Sequence, residues 1–416
     1  MESILRTQLA RRAGWLERPV FVLGAGFSRA ISERMPVTAQ LRDELERRLG
    51  VRVPDDVEGW LSYLASSQPF LDQAANYRNR ALYYEASKYI AIVIRSAARE
   101  VRKDIDPPGW LVDFAAMVIA TGADVITFNY DDLLERCAPE LAFGPGRISG
   151  PRRRILKLHG SITESWDPQE SGSFHGPTGQ SRGPVWDEDR PEPYQWLDDG
   201  RWEPFIVPPV QEKSPLYDIP ELRDRWLKAA TRLRHSSSII LLGYSLPLQD
   251  FSTHALLTQA ATANADEDLP DPHELCPLVG VADLHPDPVT DRLRAGGVPA
   301  VGRLGAGPDS IADAVSVLSN EVWRLIAFKL ESSRWDLETT PLEFEFGFAG
   351  GPRGGVAAQL GSLADVTTAA ELVDMVEDDL LQDTTYADRI PVGAEVFGAA
   401  SRGQPAKVHI WLGGRR

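Results

Sequence analysis

The chain has 416 residues, of which 43% are hydrophobic and 25% are charged, and these proportions are typical of folded globular proteins rather than collagenous or disordered chains. Its 44 Lys and Arg against 60 Asp and Glu give a net charge of −16, which disfavours direct binding to nucleic acids or anionic membranes. Two cysteines are too few for a disulfide framework or a four-thiolate zinc site, and no long apolar run indicates a membrane span. We therefore expect a cytoplasmic protein with one large core and a smaller second module.

The first predicted strand covers 19–24 and ends in the glycine turn Gly24-Ala25-Gly26, which precedes a helical stretch. Glycines in such a turn let the backbone bend tightly and approach an anion, toward which the next helix would direct its amino end. A tight turn without a ligand explains a Gly-x-Gly pair equally well. Arg29 stands where the dinucleotide fingerprint of dehydrogenases needs its third glycine, so a hydride-transferring enzyme is disfavoured. A P-loop is excluded because the sequence has no Gly-Lys pair.

Apolar residues at intervals of three and four predict a helical insertion over 39–120. A buried strand over 125–128 then runs into Asn129-Tyr130-Asp131-Asp132, and a second strand over 154–162 contains His159. Asn129 and Asp131 are candidates for holding a sugar hydroxyl or a water, although Asp131 or Asp132 could instead cap the helix that follows. His159 is a candidate for proton exchange near neutral pH, and a purely structural role is the alternative.

Residues 163–204 lack periodicity and are rich in Gly, Pro, Trp, Asp and Ser, so we predict a long surface loop there. Order resumes at 205–210, and a buried strand over 239–242 ends in Gly243-Tyr244-Ser245. A further strand is predicted over 277–284. Pro247 replaces the glycine that the nucleophile elbow of a serine hydrolase needs, so Ser245 is a poor candidate nucleophile.

A boundary near 333 divides the chain into a domain over 1–332 and a small acidic module over 333–416. Apolar and polar residues alternate over 342–348 and 407–413, which predicts two half-exposed strands, and the segment between them includes an acidic helical pattern at 371–381. The predicted fold class is α/β: a Rossmann-like parallel sheet with helices on both faces, a helical insertion and a small C-terminal α+β module. We expect this module to serve oligomerisation or partner docking, with solubility alone as the alternative.

Four of the predicted strands share one feature, because each ends in a small or polar cluster. Ligands bind outside the carboxyl ends of strands in open α/β sheets, so the four clusters should meet in one crevice. In series, the segments VLGAGFSRAISERMPVT, VITFNYDDLLE, LKLHGSI and LLGYSLPLQD resemble the SIR2-like superfamily over about residues 15–305. The resemblance is greater to its prokaryotic antiphage-defence NADase branch than to the sirtuin deacylases.

This resemblance implies that the chain binds NAD through the glycine turn, the Asn-x-Asp segment and the segment at Gly243, and that it needs no metal. We add Phe27 and Thr127 to the expected NAD-binding residues because they lie within the same segments. The residues expected to act in catalysis are Asn129 and His159, and those expected to bind NAD are Gly24, Ala25, Gly26, Phe27, Ser28, Thr127, Asp131, Gly243 and Ser245.

The reaction is expected to be hydrolysis of NAD⁺ to nicotinamide and ADP-ribose. Breaking the bond between nicotinamide and ribose builds oxocarbenium character on the sugar and releases a neutral base, so the site needs a positioned water and only a weak proton acceptor. Sirtuin deacylases carry a four-cysteine zinc module after their His-Gly motif, whereas 163–204 contains no cysteine. The resemblance further implies an NAD-depleting effector in antiphage defence.

Three alternatives to the glycohydrolase stay open from the sequence. One is an NAD-dependent protein deacylase, the second is a non-catalytic sensor that binds NAD or ADP-ribose, and the third is a scaffold that binds neither. The expected partners are NAD itself and either further copies of this chain or a separately encoded defence protein.

Overall fold

The computed structural model describes residues 18–104, 107–121, 123–137, 154–166, 203–210, 219–248, 250–262 and 276–319, together with four strands near the carboxyl terminus. Eight strands precede residue 310, and they are β1 (Val20–Leu23), β2 (Asp124–Thr127), β3 (Ile155–Lys157), β4 (Gly160–Trp166), β5 (Glu203–Ile206), β6 (Ser238–Leu242), β7 (Leu278–Asp283) and β8 (Val301–Ala306). Within the described ranges nine helices lie among them, and they are α1 (Ala25–Ile31), α2 (Thr38–Leu49), α3 (Val57–Ala65), α4 (Gln73–Asp104), α5 (Gly109–Ala120), α6 (Leu133–Cys137), α7 (Pro220–Arg234), α8 (Phe251–Thr262) and α9 (Pro286–Ala295). A further helical stretch covers 310–319.

The central sheet has six parallel strands in the order β3-β2-β1-β6-β7-β8. The strands β1 and β6 at its centre are buried along their whole length because both faces of the sheet are covered by helices. Successive side chains point to opposite faces, so Phe21 and Leu23 join one core while Val20 and Val22 join the other. This architecture confirms the predicted Rossmann-like α/β fold.

Each face of the sheet has its own set of helices. Helices α2 to α5 occupy the region predicted as a helical insertion, and their buried residues, such as Leu61 and Phe114, belong to the first core. Helices α7, α8 and α9 cover the opposite face through residues such as Leu233 and Leu293. The strand order reverses direction between β1 and β6, which is the position where doubly wound sheets form a crevice at their carboxyl edge.

The segment predicted as one strand over 154–162 is divided in the structure. Strand β3 ends at Lys157, Leu158 and His159 form a turn, and Gly160 begins β4 with a φ of 75°. The left-handed φ and the approach of the Phe205 carbonyl, 2.1 Å from where a Cβ would stand, both require glycine at this position. Strand β4 then pairs antiparallel with β5, so both ends of the predicted loop over 163–204 are strands, and 167–202 lie outside the described residues.

Four strands near the carboxyl terminus form a second sheet in the order β10-β9-β12-β11, and they are β9 (Leu342–Phe348), β10 (Gln359–Leu360), β11 (Arg389–Phe397) and β12 (Ala406–Arg415). Strands β9 and β12 coincide with the two alternating segments, whereas β8 and β11 were not predicted. The sheet contacts helix α5 through β11 and β12. The predicted helix over 371–381 and the boundary near 333 lie outside the described residues. Among the described helices, none has the length and apolar character needed to cross a bilayer.

Candidate functional site

A cavity of about 690 Å³ opens at the carboxyl edge of the central sheet, beside the ends of β1 and β6. All four strand-end clusters predicted from the sequence contribute to its wall. The predicted site residues that line it are Gly24, Ala25, Gly26, Ser28, Asn129, Asp131, His159, Gly243 and Ser245. The convergence predicted from the sequence is therefore present in the structure.

The turns after β1 and β6 pack directly against each other on one side of the cavity. The Gly26 N–H donates to the Gly243 carbonyl at 2.9 Å, and a Cβ on Gly26 would stand 2.8 Å from the Gly243 Cα. Gly243 has a φ of 60°, and a Cβ there would stand 2.2 Å from the Phe27 nitrogen. The neighbouring backbone thus explains the requirement for glycine at Gly26 and Gly243. The Gly26 amide is therefore not left for an anion, since it is bonded to the Gly243 carbonyl.

The loop after β2 is tied to the β1 turn by a chain of short hydrogen bonds. The Asn129 side-chain amide donates to the Gly24 carbonyl at 2.7 Å and to Ser28 Oγ at 2.9 Å. Ser28 Oγ donates in turn to Asp131 Oδ2 at 2.6 Å. The other Asp131 oxygen accepts from the Leu133 N–H at 3.2 Å, so Asp131 also caps α6, as the alternative interpretation of this residue proposed. Asn129 is therefore held in one orientation at the cavity wall.

Buried charged side chains stabilise the loop after β2 from the interior of the protein. Lys157 donates to the Asp131 carbonyl and forms an ion pair with Glu135 at 2.8 Å, and the Lys157 and Glu135 side chains are each 9% exposed. Burial alone would lower the pKa of Lys157, but the charges of Glu135 and Asp131 raise it above the usual value of lysine. Asp132 is completely buried between Arg102 of α4 and Arg136 of α6. These groups do not line the cavity, and their role is to position the residues that do.

His159 lies in the turn between β3 and β4 and is only 6% exposed. Its backbone carbonyl accepts from the Val207 N–H at 2.8 Å, which joins the turn to the chain after β5. The ring meets Phe128 edge-on with 5.0 Å between centroids, and the Tyr130 ring lies 6.3 Å away. Aromatic neighbours and burial give the imidazole a partly dry environment at the cavity wall, where it can exchange a proton with a bound molecule.

Aromatic side chains connect the His159 turn to the loop after β6. Phe128 stacks on Tyr244 with 4.6 Å between centroids and an interplanar angle of 15°. The Tyr244 hydroxyl donates to Asp250 Oδ2 at 3.2 Å, and the other Asp250 oxygen accepts from the Thr253 N–H at the start of α8. Ser245 is exposed at the cavity rim, and the strand–turn–helix geometry of a nucleophile elbow is not formed there because residues 244–247 are not helical.

Two of the predicted NAD-binding residues, Phe27 and Thr127, do not line the main cavity. The Phe27 ring is 2% exposed and packs edge-on against Trp110 at 5.4 Å, because it faces the core beneath α1. The Thr127 hydroxyl accepts from the Asn129 backbone N–H at 3.1 Å and is 5% exposed. Thr127 therefore supports the Asn129 loop from inside the protein.

The cavity also has wall residues that the sequence analysis did not identify. Asp283 ends β7, a strand that was predicted. A search for polar residues at the carboxyl ends of all predicted strands could therefore have found it. Glu58 comes from the helical insertion, and no local signal connects it with the sheet edge. Arg29 is the one arginine or lysine among the lining residues that the structure describes, and its guanidinium donates to the carbonyls of Glu33 and Met35. No group of three or more metal-ligating side chains occurs in the described part of the chain.

No protein-family model matches the sequence, and no curated protein matches it. Solved structures of Sir2 enzymes are similar to this chain at low identity. A structure described as "Structural Basis for the Mechanism and Regulation of Sir2 Enzymes" is 15% identical over 79% of this chain and 100% of its own, with a TM-score of 0.39. "Sir2-p53 peptide-NAD+" is 16% identical over 77% and 98%, with a TM-score of 0.36. "Crystal structure of a Sir2 homolog-NAD complex" is 16% identical over 76% and 93%, with a TM-score of 0.37.

Proposed function

We propose that this protein is an NAD⁺ glycohydrolase, which cleaves the bond between nicotinamide and ribose and releases nicotinamide and ADP-ribose. The observation that carries the proposal is that Asn129 and His159 line one cavity together with the glycine turns after β1 and β6. Catalysis at a ribose needs hydrogen bonds to the sugar, a positioned water and a weak base, and an amide and an imidazole supply these groups.

The size and position of the cavity suit a dinucleotide. Sites for small molecules and cofactors usually enclose about 300–1,000 Å³, and doubly wound sheets bind dinucleotides across the crevice where the strand order reverses. The wall extends from His159 near β3 to Asp283 and Ser310 near β7 and β8. We place the nicotinamide riboside at the His159 end and the adenosine at the β7–β8 end. Arg29 supplies a positive charge to the wall between them, where the pyrophosphate would lie.

Asn129 is proposed to orient the ribose. Its amide nitrogen is held by Gly24 and Ser28, which leaves Oδ1 to face the cavity as an acceptor for a ribose hydroxyl or the attacking water. This fixed orientation lowers the entropic cost of holding the substrate in a reactive position.

His159 is proposed to accept the proton of the attacking water. As the bond from ribose C1′ to the nicotinamide nitrogen breaks, its electron pair stays on that nitrogen, and nicotinamide leaves as a neutral molecule. The water oxygen then bonds to C1′, and its proton moves to the imidazole of His159, which later returns it to solvent. A neutral imidazole is needed for this step.

The proposal is tested by incubating purified protein with NAD⁺ and following nicotinamide release for the wild type, His159→Ala and Asn129→Ala. Both variants should retain the fold and lose most of the activity. Equal turnover in all three proteins would contradict the proposed site. Assays with and without an acetyl-lysine peptide separate the alternatives, because a deacylase consumes NAD⁺ only with the peptide and a sensor binds NAD⁺ without turnover.

In the cell we propose that this activity depletes NAD⁺ during antiphage defence, and that the carboxyl-terminal region mediates self-association or contact with a separately encoded partner. The support is the sequence resemblance together with a separate second sheet. Cells that express the wild type should lose NAD⁺ and resist phage after infection, whereas cells that express His159→Ala should do neither. Unchanged NAD⁺ in infected cells carrying the active enzyme would contradict this role.

A further inference from the structure

The helical insertion forms one wall of the cavity, although it lies far from the strand ends in sequence. It contributes Leu41 from α2, Glu58 from α3 and Ile94 from α4. Two of these side chains are apolar, so Glu58 is the charged group on this wall among the residues described. A carboxylate here places a negative charge where the proposed substrate would bind.

The local structure of α3 fixes the position of Glu58. Val57 and Leu61 are fully buried and orient the helix, which leaves Glu58 half-buried beside the cavity. The Asp56 side chain caps the helix by accepting from the Gly59 N–H at 2.9 Å. Glu58 lies in the first turn of this helix, where the positive end of the helix dipole favours an ionised carboxylate.

Glu58 lies toward the His159 end of the cavity, because α3 packs on α4 and α4 contacts β4, the strand that begins directly after His159. Tyr130 lines the cavity together with Glu58, and the negative charge of Glu58 adds to the effect of burial in raising the pKa of Tyr130. The Tyr130 ring in turn lies 6.3 Å from the His159 ring. The Asp131 carboxylate on the same side is already bonded to Ser28 and to the α6 backbone.

We infer that Glu58 is a specificity-determining residue, which selects the oxidised dinucleotide because its carboxylate faces the positively charged nicotinamide ring. This inference rests on the proposed function for the orientation of the dinucleotide. The nicotinamide ring of NAD⁺ carries one positive charge, whereas that of NADH is neutral, and the rest of the two molecules is the same. A fixed negative charge near this ring therefore raises the affinity for NAD⁺ relative to NADH.

The test is a comparison of NAD⁺ and NADH binding by calorimetry in the His159→Ala protein, which prevents turnover. In that background we expect NAD⁺ to bind about tenfold more tightly than NADH, as one charge pair in a partly exposed site would give. Adding Glu58→Gln should reduce the preference to about twofold or less, mainly by weakening the binding of NAD⁺. The reason is that the glutamine amide has the same shape as the carboxylate but no charge. Glu58→Asp keeps the charge and should keep most of the preference.

Glu85→Gln is the matched control, since Glu85 is exposed on α4 and does not line the cavity. It removes the same charge from the same insertion and should leave the preference unchanged. A preference that persists in Glu58→Gln, or that disappears equally in Glu85→Gln, overturns the inference. Thermal unfolding of each variant verifies that the proteins compared are folded. Failure of the glycohydrolase proposal would be seen separately, as wild-type protein that binds NAD⁺ selectively but releases no nicotinamide.

Discussion

The two sides of the cavity differ in whether backbone contacts or side chains determine their structure. On the side of β1 and β6, the turns at Gly26 and Gly243 contact each other through their backbones, with no room for a Cβ at either glycine. On the side of β2 and β3, the wall is side chains, and Asn129 and His159 are held there by hydrogen bonds and aromatic packing. The first side therefore shapes the crevice, while the second side carries the groups that can do chemistry.

This difference separates two consequences of mutation. A change on the backbone side must move one turn away from the other, so it should affect folding before it affects any ligand. A change on the side-chain side can remove one functional group and leave the sheet intact. Four substitutions test this separation of effects on folding from effects on function.

Gly243→Ala should have the largest effect. The new Cβ would stand 2.2 Å from the Phe27 nitrogen, and the residue would also have to keep a φ of 60°. We expect the free energy of unfolding to fall by about 4 kcal/mol, from overpacking together with the left-handed backbone. Chemical denaturation measures this loss, and failure to obtain folded protein would agree with it.

The matched control is Gly50→Ala, at a glycine with a similar φ of 64° but with no atom within 4 Å of the added Cβ. Only the cost of the left-handed conformation, about 1 kcal/mol, should appear there. If the two variants were destabilised equally, contact between the turns would not be the reason for glycine at Gly243.

The backbone side was also the easier side to predict. Apolar strands that end in glycine are local patterns, so the sequence placed Gly24 and Gly243 at strand ends and predicted that they meet. It did not predict that the turns fill each other's space, because that contact joins residues more than 200 positions apart. On the side-chain side, the sequence predicted that Asn129 and His159 lie in the crevice, and both line it. On the backbone side, it did not predict that the Phe27 ring is buried in the core, since a strand–turn–helix pattern does not tell which residue of the turn faces the core. Glu58 lay beyond prediction because its place depends on how α3 packs.

Lys157→Met should give the next largest effect. The substitution leaves Glu135 buried beside a hydrophobic side chain and removes a donor from the Asp131 carbonyl. Breaking one partner of a buried ion pair costs about 3 kcal/mol of folding free energy. Denaturant titration should detect this loss, and adding Glu135→Leu should recover much of it because no buried charge is then left alone. No recovery in the double variant would mean that Lys157 acts mainly through Asp131.

His159→Ala should separate function from stability. We expect nicotinamide release to fall at least about 100-fold, because the proposed proton acceptor is lost, while the free energy of unfolding changes by about 1 kcal/mol from lost packing on Phe128. Activity and thermal unfolding are measured on the same preparation. His235→Ala, at an exposed histidine that ends α7, should change neither value appreciably. Loss of folding in His159→Ala with normal specific activity in the folded fraction would assign His159 a structural role.

Tyr130→Phe should have the smallest effect, and its sign should depend on pH. The Tyr130 hydroxyl donates to the Val207 carbonyl at 2.6 Å, so the wild type should be more stable than the variant by about 1 kcal/mol at pH 8. Burial raises the pKa of Tyr130 above the unfolded value near 10, so the folded protein keeps a proton that the unfolded chain releases. The free energy of unfolding of the wild type should therefore fall above about pH 10. The Tyr130 phenol contributes about 1.4 kcal/mol of this loss per pH unit.

The phenylalanine variant lacks this loss, and the two proteins should be equally stable near about pH 11. Denaturant titrations at several pH values between 8 and 11 test the crossing, and other buried tyrosines such as Tyr83 affect both proteins alike. Tyr77→Phe, at a tyrosine that is 52% exposed, should show no crossing. A constant difference between wild type and Tyr130→Phe across this range would mean that the phenol ionises as easily in the folded protein as in the unfolded chain, and that the side-chain wall of the cavity is wetter than its packing indicates.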